Sequence, residues 1–288
     1  MKHVLRFLAL SVLALLFSGC IFFNPLQTIN DAVDRGGITI TNDLTYGPLE
    51  RQKLDVYAPK NASNAPVLLF VHGGSWRNGG REDYPFLGEA FALEGFVTVV
   101  ISYRLAPATV FPGWIEDAAL AVRWIKDNIN RLGGDPNRVS LMGHSAGAHI
   151  VVMLGLDGSY LRAVGLERNS LRGVIGMAGP YDFLDAVRIN SRLRETFGAE
   201  SNWVRAMPVN VVDGQNPPML LLQGLRDTTV DPRQAELLQA AIKARGGRVQ
   251  VITYANLDHT QIIGVVSKAL SFLEPKVFPD MLGFLRSN

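Results

Sequence analysis

Ser145, Asp227 and His259 are residue types that, if brought together, turn a hydroxyl into a nucleophile. A serine hydroxyl barely ionises near neutrality, so it needs a base within hydrogen-bond reach and a third group to orient that base. The chemistry on offer is attack on a carbonyl, with an acyl group passing to serine and then to water. Ser145 stands out because it lies in Gly143-His144-Ser145-Ala146-Gly147, a G-x-S-x-G pattern with the flanks that pattern requires. Arg138 to Met142 upstream is a short apolar run suited to a buried strand, and Ala148 to Leu154 downstream suits a buried helix. A strand entering a helix through glycines is a nucleophile elbow, a strained turn with an exposed hydroxyl. A Cβ at either glycine is expected to strike the neighbouring strand or helix.

The base follows by elimination among the 5 histidines. His3 lies in an N-terminal leader, and His144 is too close in sequence to swing onto its neighbour's hydroxyl. His149 falls within the elbow helix, where a packed histidine is expected, and His72 opens a glycine loop. His259 remains, in Leu257-Asp258-His259-Thr260, directly after the last apolar strand pattern. Asp227 is the best acid, at the carboxyl end of the strand Met219 to Leu222, the edge where doubly wound sheets place their sites. Asp182 is the weaker rival, Asp231 reads as a cap for the helix opening at Pro232, and Asp258 as solvated. His72-Gly73-Gly74-Ser75-Trp76 follows the strand Val67 to Val71, and its glycines let N–H groups turn into a cleft. Gly73, Gly74 and Ser75, with Ala146 after the nucleophile, are the candidate oxyanion hole. The His72 side chain is assigned to holding that loop. Trp76 and Trp203 are candidates for lining a substrate pocket, against the alternative that each is core. No metal or organic cofactor is required.

Elements to position these residues are visible as patterns. Continuous apolar runs at Val67 to Val71, Val97 to Ser102, Val139 to Met142, Val174 to Met177 and Met219 to Leu222 fit strands covered on both faces. Two strands, Ile38 to Leu44 and Lys53 to Tyr57, precede them, and Val249 to Tyr254 follows. Trp114 to Leu132 carries apolar residues at helical spacing and is stopped by Gly133-Gly134. A later helix begins near Pro232, and a final one is expected around Ile262 to Leu273. The alternation predicts one α/β domain over 38–288, a mostly parallel doubly wound sheet of about eight strands with helices on both faces. Residues 183–213 form the only long excursion and are expected to be a small cap.

The 288 residues suffice for one large domain, and 48% hydrophobic with 19% charged residues describes a globule. Lys2 and Arg6 followed by the apolar stretch Phe7 to Phe17 read as a signal peptide over 1–19, too short to span a bilayer. The single cysteine, Cys20, follows Phe17-Ser18-Gly19 and excludes internal disulfides. Removing Lys2 and Arg6 from the 28 basic residues leaves 26 against 26 acidic ones. Such a balanced chain carries no nucleic-acid footprint.

Several motifs carry a resemblance. His72 to Trp76, Ser102-Tyr103-Arg104-Leu105-Ala106-Pro107, Asp135 to Val139 and Gly143 to His149 resemble the α/β-hydrolase superfamily of carboxylesterases. Within it, H-G-G-x-W and G-H-S-A-G-A-H are similar to the feruloyl-esterase-like, kynurenine-formamidase-like and isoprenylcysteine-methylesterase-like branch. Ser75 stands where hormone-sensitive-lipase-like esterases carry a third glycine. The order Ser145, Asp227, His259 is the order that superfamily shows. The resemblance implies hydrolysis of small-molecule carboxylic esters through an acyl-enzyme, without selecting a substrate. A formamidase or other C–N hydrolase would use the same residues, and a non-catalytic surface-anchored binding protein on the same fold is the alternative from another class. Phe17 to Cys20 resembles the bacterial lipobox, which implies a lipidated Cys20, a tether over 20–37 and an exported protein held at an envelope membrane; a secreted or periplasmic soluble protein is the alternative.

Overall fold

The computed structural model describes Asn30 and residues 36–288. The leader, Cys20 and most of the tether lie outside the described residues. Eight strands form one sheet: β1 Ile38–Thr45, β2 Lys53–Pro59, β3 Ala65–Val71, β4 Val97–Ile101, β5 Gly134–His144, β6 Leu171–Met177, β7 Met219–Gly224 and β8 Val249–Tyr254. Their spatial order is β1-β2-β4-β3-β5-β6-β7-β8. β1 and β2 pair antiparallel with each other and β2 with β4; every pairing from β4 to β8 is parallel. This is the mostly parallel α/β sheet that the alternating apolar patterns predict.

Among the described residues the helices are α1 Pro85–Leu93, α2 Gly113–Asn128, α3 Ala146–Leu156, α4 Ser159–Ala163, α5 Leu184–Ile189, α6 Ser191–Phe197, α7 Glu200–Trp203, α8 Arg233–Ala244, α9 Gln261–Gly264 and α10 Val277–Ser287. The apolar runs work as two-sided strands because successive side chains point to opposite faces. In β3, Val67, Leu69 and Val71 join a core with α2, α3 and α8, while Leu68 and Phe70 join a second core with α1 and α10. α3 is buried along its whole length, as expected of a helix that is apolar all round.

One expected element is corrected. The helix expected around Ile262 to Leu273 is only the single turn α9, followed by a short 3₁₀ turn at Ser271–Leu273. Serine side chains compete there for the backbone: Ser267 Oγ donates to the Gly264 carbonyl at 2.7 Å and Ser271 Oγ to that of Lys268 at 3.1 Å. The helix that covers this face is α10, further along the chain. Its Pro279 falls in the first turn, where a missing N–H costs no hydrogen bond. The excursion over 183–213 consists of α5, α6, α7 and a 3₁₀ turn at Pro208–Asn210, seated on the core through Val187, Phe197, Ala206 and Met207.

Candidate active site

The parallel strands end along one edge, and the loops leaving that edge carry the candidate residues. Between β5 and α3 the chain turns within one residue. Ser145 has φ +55° and ψ −121°, a conformation that costs an L-residue about 1–3 kcal/mol. Its N–H donates to the Met177 carbonyl at 2.8 Å. The glycines on either side allow the turn: a Cβ on Gly143 would overlap the Gly147 carbonyl, and one on Gly147 would overlap the Val71 carbonyl oxygen. Ser145 is left half-buried, with its hydroxyl facing the loop that follows β8.

That loop and the one after β7 are bound together. Leu225 N–H donates to the Tyr254 carbonyl at 2.9 Å and Arg226 N–H to that of Leu257 at 3.0 Å. Asp227 and His259 thereby meet. His259 Nδ1 donates to Asp227 Oδ2 at 2.7 Å, and the Ser145 hydroxyl donates to His259 Nε2 at 2.9 Å. Oδ1 of Asp227 accepts the N–H groups of Thr229 and Val230 at 2.9 and 2.8 Å, and Gln223 Nε2 donates to Oδ2 at 3.1 Å. Burial pushes the Asp227 carboxyl up, but the hydrogen bonds from His259, Val230 and Thr229 outweigh it and hold the group below its ordinary value. It is therefore an anion at neutral pH, aimed at one ring nitrogen.

The other histidines have separate places. His144 Nε2 donates to the backbone carbonyl of His259 at 2.8 Å, so it props the loop that carries the base. His149 is buried in α3 and donates through Nε2 to the Ala206 carbonyl at 2.8 Å. His72 donates from Nδ1 to the Gly73 carbonyl at 2.6 Å and stacks on Tyr103 at 4.3 Å between ring centroids. Asp182 is exposed, and its N–H donates to Gln234 Oε1 at 2.6 Å, away from the imidazole. Asp231 accepts the Arg233 N–H at 2.9 Å where α8 begins, and Asp258 accepts those of Thr260 and Gln261 at 3.0 and 2.8 Å at the start of α9.

The glycine loop after β3 runs beside the nucleophile: a Cβ on Gly73 would press on the His144 carbonyl and on Ser145 Cβ. Gly74, Ser75 and Trp76 have φ of +115°, +53° and +58°, a run of backbone that L-residues rarely adopt. Tyr84 packs beside this loop, 6.2 Å between its ring centroid and that of His72, and burial pushes its phenol up to about 12. Trp76 is packed among Trp114, His149, Phe183 and Phe197, with centroid distances of 6.1, 5.2, 5.7 and 4.9 Å. Trp203 is half-buried and donates from Nε1 to the Gly198 carbonyl at 3.0 Å. Among the described residues no group of three or more His, Cys, Asp or Glu side chains is arranged to hold a metal ion.

A polarised serine, an imidazole and an orienting carboxylate on the carboxyl edge of a parallel sheet are the parts of an acyl-transfer site. The BD-FAE family model matches residues 54–242, which takes in the elbow, the glycine loop and Asp227. The chain belongs to the BD-FAE family. His259 follows the matched region. Among curated proteins, this BD-FAE chain is 27% identical over 265 residues to esterase LipQ of Mycobacterium tuberculosis (strain ATCC 25618 / H37Rv), covering 85% of the chain and 62% of the relative. It is 32% identical over 229 residues to esterase LipC of the same organism, covering 72% and 57%. A probable isoprenylcysteine alpha-carbonyl methylesterase of Arabidopsis thaliana, ICMEL1, is 28% identical over 289 residues, covering 91% and 58%. The chain thus spans under two thirds of the length of these relatives. A truncated carbohydrate esterase from gut microbiota superposes with a TM-score of 0.76 at 19% identity, over 88% of this chain and 98% of its own. Esterase B of Lactobacillus rhamnosis gives 0.74 at 20% identity, over 90% and 88%. These likenesses show the α/β-hydrolase fold.

Proposed function

We propose that this BD-FAE chain is a carboxylic ester hydrolase that works through an acyl-enzyme on Ser145. The observation that carries the reading is the unbroken relay from Asp227 through His259 to the Ser145 hydroxyl, at 2.7 and 2.9 Å. Relatives named as esterases support it. Ser145 Oγ adds to the ester carbonyl as its proton passes to His259 Nε2, and Asp227 stabilises the imidazolium so formed. The N–H groups of Gly74, Ser75 and Ala146 receive the oxyanion, Ala146 being the first residue of α3, whose N–H has no carbonyl to bond within its own helix. Gly73 opens the same loop, and its lack of a side chain lets the loop lie against the His144 carbonyl and Ser145 Cβ. His259 returns its proton to the departing alcohol; water then attacks the acyl-enzyme with His259 again as base and releases the acid. The substrates are small-molecule esters of small or medium acyl groups, and residues 183–213 form the cap over them.

The deciding experiment is Ser145→Ala against p-nitrophenyl esters, with covalent labelling by a fluorophosphonate. Turnover should fall by a factor on the order of 10⁶ and labelling should vanish. Retention of more than about a tenth of the turnover, far above any triad loss, would remove Ser145 from the role. Export behind a signal peptide and lipidation at Cys20 complete the reading, and they have their own check. Cys20→Ser should move the protein from the membrane to the soluble fraction; an unchanged distribution ends the anchor.

A further inference from the structure

We infer that Arg77 is a positioning residue for the oxyanion loop and makes that loop's shape depend on the seating of α6, an inference that rests on the hydrolase reading above. Left-handed φ values at Ser75 and Trp76 cost an L-residue roughly 1–2 kcal/mol each, so the conformation persists only if its surroundings impose it. Some of that constraint is local: the Gly74 carbonyl accepts the N–H groups of Arg77 and Asn78 at 3.0 and 2.9 Å. Another part comes from the segment after β4, where Ala106 N–H donates to the Trp76 carbonyl at 2.8 Å. The remainder comes from α6.

Arg77 reaches α6 with both ends of its guanidinium. Nη1 donates to Thr196 Oγ1 at 3.1 Å, and Nη2 lies 2.8 Å from Glu195 Oε2. The Arg77 side chain is 14% exposed and that of Glu195 54%, so the ion pair lies at the surface and is worth little, while the bond to the buried Thr196 is the shielded one. Thr196 is fully buried and fixed on its own side: its hydroxyl donates to the Arg192 carbonyl at 2.8 Å, and its carbonyl accepts Phe111 N–H at 3.4 Å. Phe197, the next residue, packs its ring edge against Trp76 at 4.9 Å. The donors Gly74 and Ser75 therefore stand immediately before two residues clamped to α6, one by its ring and one by its guanidinium. A shift of α6 that released Arg77 would let Ser75 and Trp76 relax toward ordinary φ values and turn their N–H groups. Substrate would still bind, but the developing oxyanion would lose aligned donors, an effect confined to the transition state.

The test uses the full chain and begins with the wild type, which must turn over p-nitrophenyl acetate and be labelled by a fluorophosphonate; failure there strikes the hydrolase reading itself. Given that activity, Arg77→Ala should lower kcat by about tenfold to a hundredfold, less than the 10²–10³ of losing a donor outright. KM should stay within about threefold, as for loss of an interaction made only in the transition state. The acid limb of the pH profile should not move, because the relay is untouched. Affinity for a phenylboronic acid, whose tetrahedral adduct mimics the oxyanion, should fall by the same factor as kcat. A kcat within about twofold of wild type, or a loss confined to KM, overturns the inference. Thr196→Val removes one bond with little change of shape and guards against misfolding of the first variant. It should lower kcat severalfold alone and add almost nothing to Arg77→Ala, whereas additive losses would show that the two residues act separately.

Discussion

At the scale of single residues, the site rests on a carboxylate whose two oxygens each accept two hydrogen bonds. Asp227 uses Oδ1 on two backbone N–H groups and Oδ2 on His259 and Gln223, which leaves the carboxylate no freedom to rotate. Asp227→Asn should preserve that shape yet present an amide to Nδ1, favouring the tautomer with Nε2 protonated, which cannot accept from Ser145. The expected result is a fall in kcat of about 10⁴ with KM little changed, measured on a short-chain ester. A loss below about tenfold would mean that another group orients the ring. Ser145, Asp227 and His259 were legible in the sequence because each lies where a strand pattern ends, and the chain order restricts the pairings. Gly73, Gly74 and Ser75 were legible as a glycine loop after a strand pattern, and so as candidates for the oxyanion hole. The close approach of Gly73 to His144 and Ser145 joins loops that leave different strands, and no local pattern encodes that meeting. The props from His144 to the His259 carbonyl and from Arg77 to α6 were hidden for the same reason.

At the scale of elements, legibility followed burial. Strands covered on both faces wrote uninterrupted apolar runs, and β3, β4, β6 and β7 lie where those runs are. The C-terminal region misled because Ile262 and Ile263 are buried in the single turn α9 and Val265 and Val266 just beyond it, so their spacing imitates a longer helix. Glycines separate the tight elements from the loose ones. Gly147 lies where a Cβ would strike the carbonyls of Val71 and His72, neither able to move without breaking the sheet. Gly147→Ala should destabilise the fold at the upper end of the ~1–3 kcal/mol typical of overpacking. Gly283 lies in the interior of α10, exposed, with nothing within 4 Å of an added Cβ. Gly283→Ala should stabilise by up to about 1 kcal/mol. Urea midpoints at constant m-value measure both; a Gly147→Ala midpoint at or above that of the wild type would contradict the packing described for the elbow.

At the scale of the whole molecule, three buried histidines from different elements surround the relay, and burial governs all of them. It pushes His144 down to about 3, with the neighbouring His259 as a further cause, and His72 and His149 each down to about 4. An unfolded chain carries the same side chains at about 6.5. Between about pH 6.5 and 4 the unfolded state therefore binds more protons than the native state, so stability must fall as pH falls through that window. Each histidine contributes a slope of up to about 1.4 kcal/mol per pH unit, or about 4 for the three together. Against a typical domain stability of about 5–15 kcal/mol, that is enough to unfold the protein within the window. Asp227 belongs to a lower range: its carboxyl is held below the ordinary value, so its contribution is complete above the unfolded carboxyl pKa of about 3.9 and is lost only on further acidification. Urea midpoints should be level above pH 7 and decline steadily from there to pH 4.5. His149→Phe, placed among Trp76, Phe183 and Phe197, should remove about one proton from the slope while leaving a folded protein. Equal midpoints at pH 7.5 and 4.5, or a His149→Phe slope indistinguishable from wild type, would mean that these imidazoles are solvated in the native molecule and that the packing around the nucleophile is looser than the fold implies.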